Sequence, residues 1–221
     1  MILFLLDNWQ QALILTAEHL LLVAAATAIA SLIGIPLGII ISDRQNLAPL
    51  VLDMANVLIT IPSIALFGLM MPVLAVFNMG LGNVPAVVAL ILYSQLPIIR
   101  NTYTGIKEVD PEVVDSARGL GLSFSEQLRE VLIPLSLPVI IAGVRIAVVM
   151  NIGILTIGVY IGSDGLGHFI QRGIDQAHRE QIMAGALLVA LLAILVELIF
   201  YRLEHWLKPE GLKAGVEDER S

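Results

Sequence analysis

Residues 54–99 run for 46 positions without a Lys, Arg, Asp or Glu, and that run decides the kind of solvent in which the chain can fold. One spanning helix needs about 20 predominantly apolar residues, so the run is long enough for two. Asn78-Met79-Gly80-Leu81-Gly82-Asn83 interrupts it near the middle, where amides and glycines predict a tight turn between two spans. A water-soluble core has no place for such a stretch. Charged residues are 14% of the chain and hydrophobic ones 57%, against about 25% charged in a typical soluble domain.

The same patterning predicts an all-α membrane protein with about five transmembrane helices, at 20–41, 48–77, 84–99, 139–161 and 182–201. Pro36, Pro62, Pro72 and Pro97 fall in or near these spans. Bundled membrane helices tolerate proline when neighbours satisfy the freed carbonyls. Residues 1–17 read as an extracytoplasmic or interfacial lead-in, with Trp9 where an aromatic-belt residue sits. The first basic residue is Arg44, so the basic n-region of a cleaved signal peptide is missing. Residues 204–221 form a polar tail with Pro209, Gly211 and Gly215, expected to be cytoplasmic and disordered.

Basic residues set the orientation. With the N-terminus outside and the C-terminus inside, the inner side receives Arg44, Arg100, Lys107, Arg118, Arg129, Arg202, Lys208, Lys213 and Arg220, and the outer side only Arg172 and Arg179. Nine against two is a positive-inside bias.

The composition also excludes several functions. The chain has no cysteine, which removes disulfides, thiol catalysis and thiolate metal sites. A net charge of −7 gives no footprint for nucleic acid. His19, His168, His178 and His205 are scattered without metal-ligand spacing, and no nucleophile–base constellation stands out. No metal and no resident cofactor are expected.

One polar island remains, residues 107–134, on the cytoplasmic side. Asp110 before Pro111 predicts a helix start, with Glu112 favourable in the first turn. That helix reaches about Arg118 and stops at Gly119-Leu120-Gly121. Ser123 with Glu126 predicts a capping box, and a second helix over 124–132 is expected to end before Pro134. Spacing alone is equally compatible with a solvated amphipathic loop.

The island resembles the EAA loop of bacterial ABC import permeases, whose pattern is Glu-Ala-Ala, three residues, Gly, nine residues, Ile, one residue, Leu-Pro. Here it stands as Asp115-Ser116-Ala117, then Gly121, then Val131, then Ile133-Pro134. The spacing is kept, Ala117, Gly121 and Pro134 match by type, and the other four positions depart conservatively. Further blocks are Thr60-Ile61-Pro62-Ser63, Gly143-Val144-Arg145, Asn151-Ile152-Gly153, residues 161–167 and Phe169-Ile170-Gln171-Arg172-Gly173. The later ones are similar to permeases for glycine betaine, carnitine, choline and related osmoprotectants. The resemblance covers roughly 18–201.

It implies a type I importer permease domain over 18–203, multi-pass in the bacterial inner membrane. Its coupling helix would seat in a cytoplasmic ATPase, with Asp115, Ser116, Ala117, Gly121, Val131, Ile133 and Pro134 as coupling residues. The implied partners are two copies of that ATPase, a second permease subunit (identical or paralogous), an extracytoplasmic substrate-binding protein and lipid. The chain lacks a Gly-x-x-x-x-Gly-Lys-Ser/Thr loop, so ATP is expected on the partner and the chain is not read as an enzyme. Alternatives are a permease for another small solute, such as the amino acid methionine, an ion-coupled secondary transporter, or a membrane-embedded enzyme.

Other positions carry sharper expectations beside plainer ones. Tyr93, Asn151 and Tyr160 are candidate pathway residues, or packing for the tyrosines and an inter-helix hydrogen bond for Asn151. Asp164, His168, Arg172, Asp175 and Arg179, in the outer connection, are candidates for docking the binding protein, or an ordinary solvated loop. Arg145 and Glu197 lie at similar depths in the fourth and fifth spans and are expected to pair.

Overall fold

The computed structural model describes residues 1–44 and 46–207 and is helical throughout, with no strand among the described residues. A short helix α1 (Ile2–Asp7) leads into α2 (Trp9–Asp43). At 35 residues α2 is far longer than the span expected at 20–41, and it takes in more than half of the lead-in. Its buried face reads Leu15, His19, Val23, Ala26, Ala30, Gly34, Gly38 and Ile41, a stripe of steps of three and four residues in which small side chains let another backbone approach.

The backbone that approaches is α5 (Asn83–Lys107). A Cβ placed on Gly34 would lie 2.8 Å from Ile98 Cγ2, and one on Gly38 2.6 Å from Thr102 Cβ. Residue numbers rise together along this contact, so α2 and α5 are parallel. The last long partner of α5, α8 (Ile133–Gly158), runs the other way: Gly105 faces Val139 and Gly143 faces Asn101. The Ile161 carbonyl accepts from the Gly82 N–H at 2.8 Å.

Parallel α2 and α5 require the chain to return to the first end between them. Two helices share that return, α3 (Ala48–Thr60) and α4 (Ser63–Ala75), bent by 99°. The single helix expected over 48–77 is therefore corrected to a broken one, and the cause is local. Proline disfavours the helical conformation in the residue before it, and Ile61 is extended, at φ −70° and ψ 125°. With this pair counted as one span, the chain makes five crossings.

The polar island folds as α6 (Pro111–Gly119) and α7 (Phe124–Gln127), joined to α8 by a π turn over Leu128–Leu132. The helix expected to end before Pro134 does not end. It continues unbroken over Phe124–Ile161, the last three residues as a 3₁₀ turn. Pro134 has no N–H to give, and the Ile133 N–H reaches back five residues to the Leu128 carbonyl. A wide turn of this kind carries a helix past a missing donor.

At the opposite end α9 (Gly167–Asp175) lies against α10 (Arg179–Leu207), the final long helix. A Cβ on Gly185 would stand 2.8 Å from Phe169 Cβ, and Phe4 of α1 meets the Phe169 ring edge-on at 5.7 Å. The helix α10 passes the boundary expected at residue 203 and is described to Leu207; the tail beyond it, with Lys208, Lys213 and Arg220, lies outside the described residues. Long exposed apolar side chains, among them Leu21, Leu32, Met54, Val73, Leu191 and Ile199, face outward from the bundle. Such an outer surface belongs in hydrocarbon.

Candidate functional site

The island is built from local signals. Asp110 Oδ1 accepts from the Glu112 N–H at 2.8 Å and opens α6. At its other end the Leu122 N–H bonds to the Ala117 carbonyl (3.2 Å) and the Gly121 N–H to the Arg118 carbonyl (2.9 Å). This is the Schellman pattern, with its left-handed residue at Gly121, φ +82°. A Cβ on Gly121 would meet nothing within 4 Å, so its backbone conformation and not space requires glycine.

The capping box then restarts the helix. The Ser123 N–H donates to Glu126 Oε2 at 2.7 Å, and the Glu126 N–H to Ser123 Oγ at 3.4 Å. The Ser123 hydroxyl, and after it the Ser123 N–H, hold the Glu126 carboxyl below the usual carboxylate range. Gln127 Nε2 ties the bend by donating to the Leu122 carbonyl at 2.7 Å. Leu132 of the π turn packs with Ile106 and Val109, fastening the island to the end of α5. A cleft of about 380 Å³ separates α6 from the ends of α2 and α5, with Asp43, Lys107, Asp115 and Arg118 on its walls.

Within this frame the expected coupling residues divide. Asp115, Ser116, Gly121 and Pro134 are exposed, and Val131 and Ile133 are half-buried. Ala117 is covered by the island's own fold. Asp115 pairs with Arg118 on the same helix at 3.4 Å, and Ser116 Oγ bonds back to the Glu112 carbonyl. Three apolar residues that the spacing does not single out lie open on this polar surface: Leu120, 82% exposed, with Phe124 and Val113. Leu120 stands at the C-cap of α6, Phe124 just after the N-cap of α7 and Val113 in the first turn of α6, each an apolar side chain inside a polar segment.

Above the island Arg145 pairs through Nη1 with Glu197 Oε1. Its Nε also stands 2.8 Å from Glu204 Oε1. The structure thus brings the expected pair together and adds a second carboxylate, seven residues on and on the same face of α10 as Glu197. At mid-height Asn151 is fully buried and donates from Nδ2 to Ser94 Oγ (2.8 Å) and Thr27 Oγ1 (3.2 Å), joining α8, α5 and α2. Tyr93 is packed in the core with its hydroxyl donating to the Ile61 carbonyl. Of the three candidate pathway residues, Tyr160 alone presents its side chain outward.

The outer candidates cluster at the far end. Asp164 is stapled to Asn83: its Oδ2 accepts from Asn83 Nδ2 at 2.7 Å, and its N–H donates to Asn83 Oδ1 at 2.8 Å. His19 sits beneath this connection, with Nε2 3.0 Å from the Ile152 carbonyl and Nδ1 accepting from the Leu166 N–H at 3.3 Å. That pair of bonds fits one neutral tautomer. Arg172, Asp175 and Arg179 are exposed around α9, and His168 is half-buried. The amino terminus joins the same end through Glu180, at 3.2 Å.

The sequence over residues 30–210 matches the family described as binding-protein-dependent transport system inner membrane component. The chain belongs to that family. Among relatives, the permease is 46% identical over 210 residues to the osmoprotectant import permease protein OsmW of Salmonella typhimurium, covering 95% of this chain and 98% of the relative. It is 38% identical over 213 residues to the glycine betaine/carnitine/choline transport system permease protein OpuCB of Bacillus subtilis, covering 96% of each. Among solved structures, a chain of the MetNI methionine ABC transporter in inward-facing conformations superposes with a TM-score of 0.78 at 21% identity, over 87% of this chain and 94% of that one. A chain of an amino acid ABC transporter with histidines gives 0.72 at 21% identity, over 92% and 95%. The fold of the permease is that of type I ABC importer permeases, and its place is the membrane.

Proposed function

We propose that the permease forms one half of an import pathway for a small quaternary ammonium osmoprotectant of the glycine betaine, carnitine and choline class, and that it takes its driving force from a separate ATPase through the 107–134 island. The observation that carries this reading is the continuity of Phe124–Ile161. A rigid, doubly capped knob at the basic end is the start of a membrane-crossing helix, so a displacement of the knob is a displacement of that helix. Leu120, Phe124 and Val113 offer the apolar anchor that a protein partner would bury. The substrate class is supported by the names of the relatives, which cover nearly the whole chain.

In the assembly so proposed, two ATPase copies and a second permease subunit complete the machine, and ATP binds only on the ATPase. One face of α8 and of the 3₁₀ turn that continues it is open for that second subunit and the pathway between the two: Ile146, Gly153 and Tyr160 are exposed along it. The binding protein docks at the outer end, on Arg172, Asp175 and Arg179, and does most of the selecting.

The test is uptake into proteoliposomes holding the permease with its ATPase. Radiolabelled glycine betaine is expected to accumulate only with ATP inside and binding protein outside. Leu120→Asp is expected to abolish co-purification of the ATPase while the permease still inserts. Uptake driven by a sodium or proton gradient without ATP would overturn the reading.

A further inference from the structure

The break between α3 and α4 has an internal support that no part of the transport reading uses. Ile61 and Pro62 are both extended, Pro62 at φ −57° and ψ 137°, which turns the Ile61 carbonyl away from the helix ladder. A carbonyl so released inside a bilayer must find a donor in the protein, since the hydrocarbon has none. Tyr93 supplies it from α5, with its ring buried and its hydroxyl on Ile61. The tyrosine is 32 residues away in sequence, so the bond joins two separate crossings at the point where one of them bends.

Beyond the break α4 is lightly held. Of its residues only Leu66 and Phe67 are buried, whereas Ile64, Leu69 and Val73 are exposed and a Cβ on Gly68 would meet nothing within 4 Å. Its buried pair packs in the same cluster as Ile152 and Leu155 of α8, the helix continuous with the island. The far end of α4 returns to α5 through the turn before Asn83, which is stapled to Asp164. An arm fixed at both ends, loosely packed between them and leaning on the driven helix is the part of the bundle that a rotation of α8 would displace first.

We propose that Ile61–Pro62 is the hinge on which α4 moves during transport, and that Tyr93 is the positioning residue that sets the resting place of α4. This rests on the transport reading above; wild-type uptake in the same vesicles tests that reading separately. The experiment uses the complete importer in proteoliposomes, with spin labels at Val73→Cys on α4 and Leu195→Cys on α10. The chain has no cysteine of its own, so labelling the permease before its partners are added marks only these two positions in each copy. Tyr93→Phe keeps the ring and removes only the donor.

It is expected to co-purify normally with the ATPase, to broaden or shift the Val73–Leu195 distance, and to lower uptake per ATP hydrolysed by about tenfold, the scale of one lost hydrogen bond. Pro62→Ala restores a backbone donor and lets the helix straighten, so in that background Tyr93→Phe is expected to have no further effect. Unchanged distances and coupling in Tyr93→Phe would overturn the proposal. So would an equal Tyr93→Phe effect with and without Pro62, or a loss of assembly that Pro62→Ala fails to relieve, because each marks a bond with a purely structural role.

Discussion

Leu120 and Gly121 are neighbours with separate tasks. Gly121 holds φ +82° with open space around it, and Leu120 carries an apolar side chain into the open beside it. A residue with a Cβ in the left-handed region costs about 1–2 kcal/mol, and more if β-branched. Gly121→Val is therefore expected to splay α6 from α7 and cut stimulated ATP hydrolysis at least tenfold, with membrane insertion intact. Gly121→Asn, which tolerates that region, should keep most of the stimulation. A stimulated-hydrolysis assay on the co-purified complex separates the two. The caps around Gly121 were legible in the sequence because they are written within four residues of one another. The burial of Ala117 and the exposure of Leu120 were not, since spacing does not tell which side of a helix its own loop will cover. Glu204 escaped for a similar reason: the sequence puts it in a polar tail, and only the length of α10 returns it to Arg145.

At the scale of elements, the π turn at Leu128–Leu132 fixes the rotational phase between the island and α8. An α-helical residue advances a helix by about 100°, and a π turn spends about five residues on the rotation that four make in an α-helix, so a further residue added there is not absorbed and turns everything on one side relative to the other. Insertion of one alanine after Glu130 is expected to leave the five crossings in place, with the knob facing away from its partner. Cysteine-accessibility mapping should then show normal topology, and co-purification of the ATPase should be lost. The two prolines in question, Pro62 and Pro134, show where legibility ends. Each stands in an apolar helical pattern, yet one breaks its helix by 99° and the other is absorbed by a wide turn. The difference lies in what is near: Tyr93 offers a donor to the first, and the N–H of Ile133 can reach past the second. The first partner is distant in sequence and could not be read from it. The lengths of the other crossings were legible only in outline, because helices continue past the apolar window until a cap stops them.

At the scale of the molecule, four close glycine contacts, at Gly34, Gly38, Gly105 and Gly143, make α2, α5 and α8 a tight trio, and α10 is held to α8 partly by charge. One guanidinium lies between two carboxylates, on Arg145, Glu197 and Glu204. Removing only the cation leaves negative groups in a partly dry place, which costs more than removing the whole group. Arg145→Met is expected to lower the unfolding midpoint in detergent by several degrees, and the triple change Arg145→Met, Glu197→Gln, Glu204→Gln to recover most of it. A triple variant no more stable than the single one would show that packing, not charge, holds α10. The membrane-spanning character followed from the sequence, because hydropathy acts along the whole chain.

The broken crossing bears on the membrane itself. Two legs of 13 residues are each about 20 Å long, and at 99° they reach only about 26 Å end to end. The hydrocarbon layer is about 30 Å thick. On that flank the protein is shorter than its solvent, so lipid there must compress or the gap must be closed by another subunit. Bilayer thickness thereby becomes a variable to which this one side of the permease is mechanically exposed.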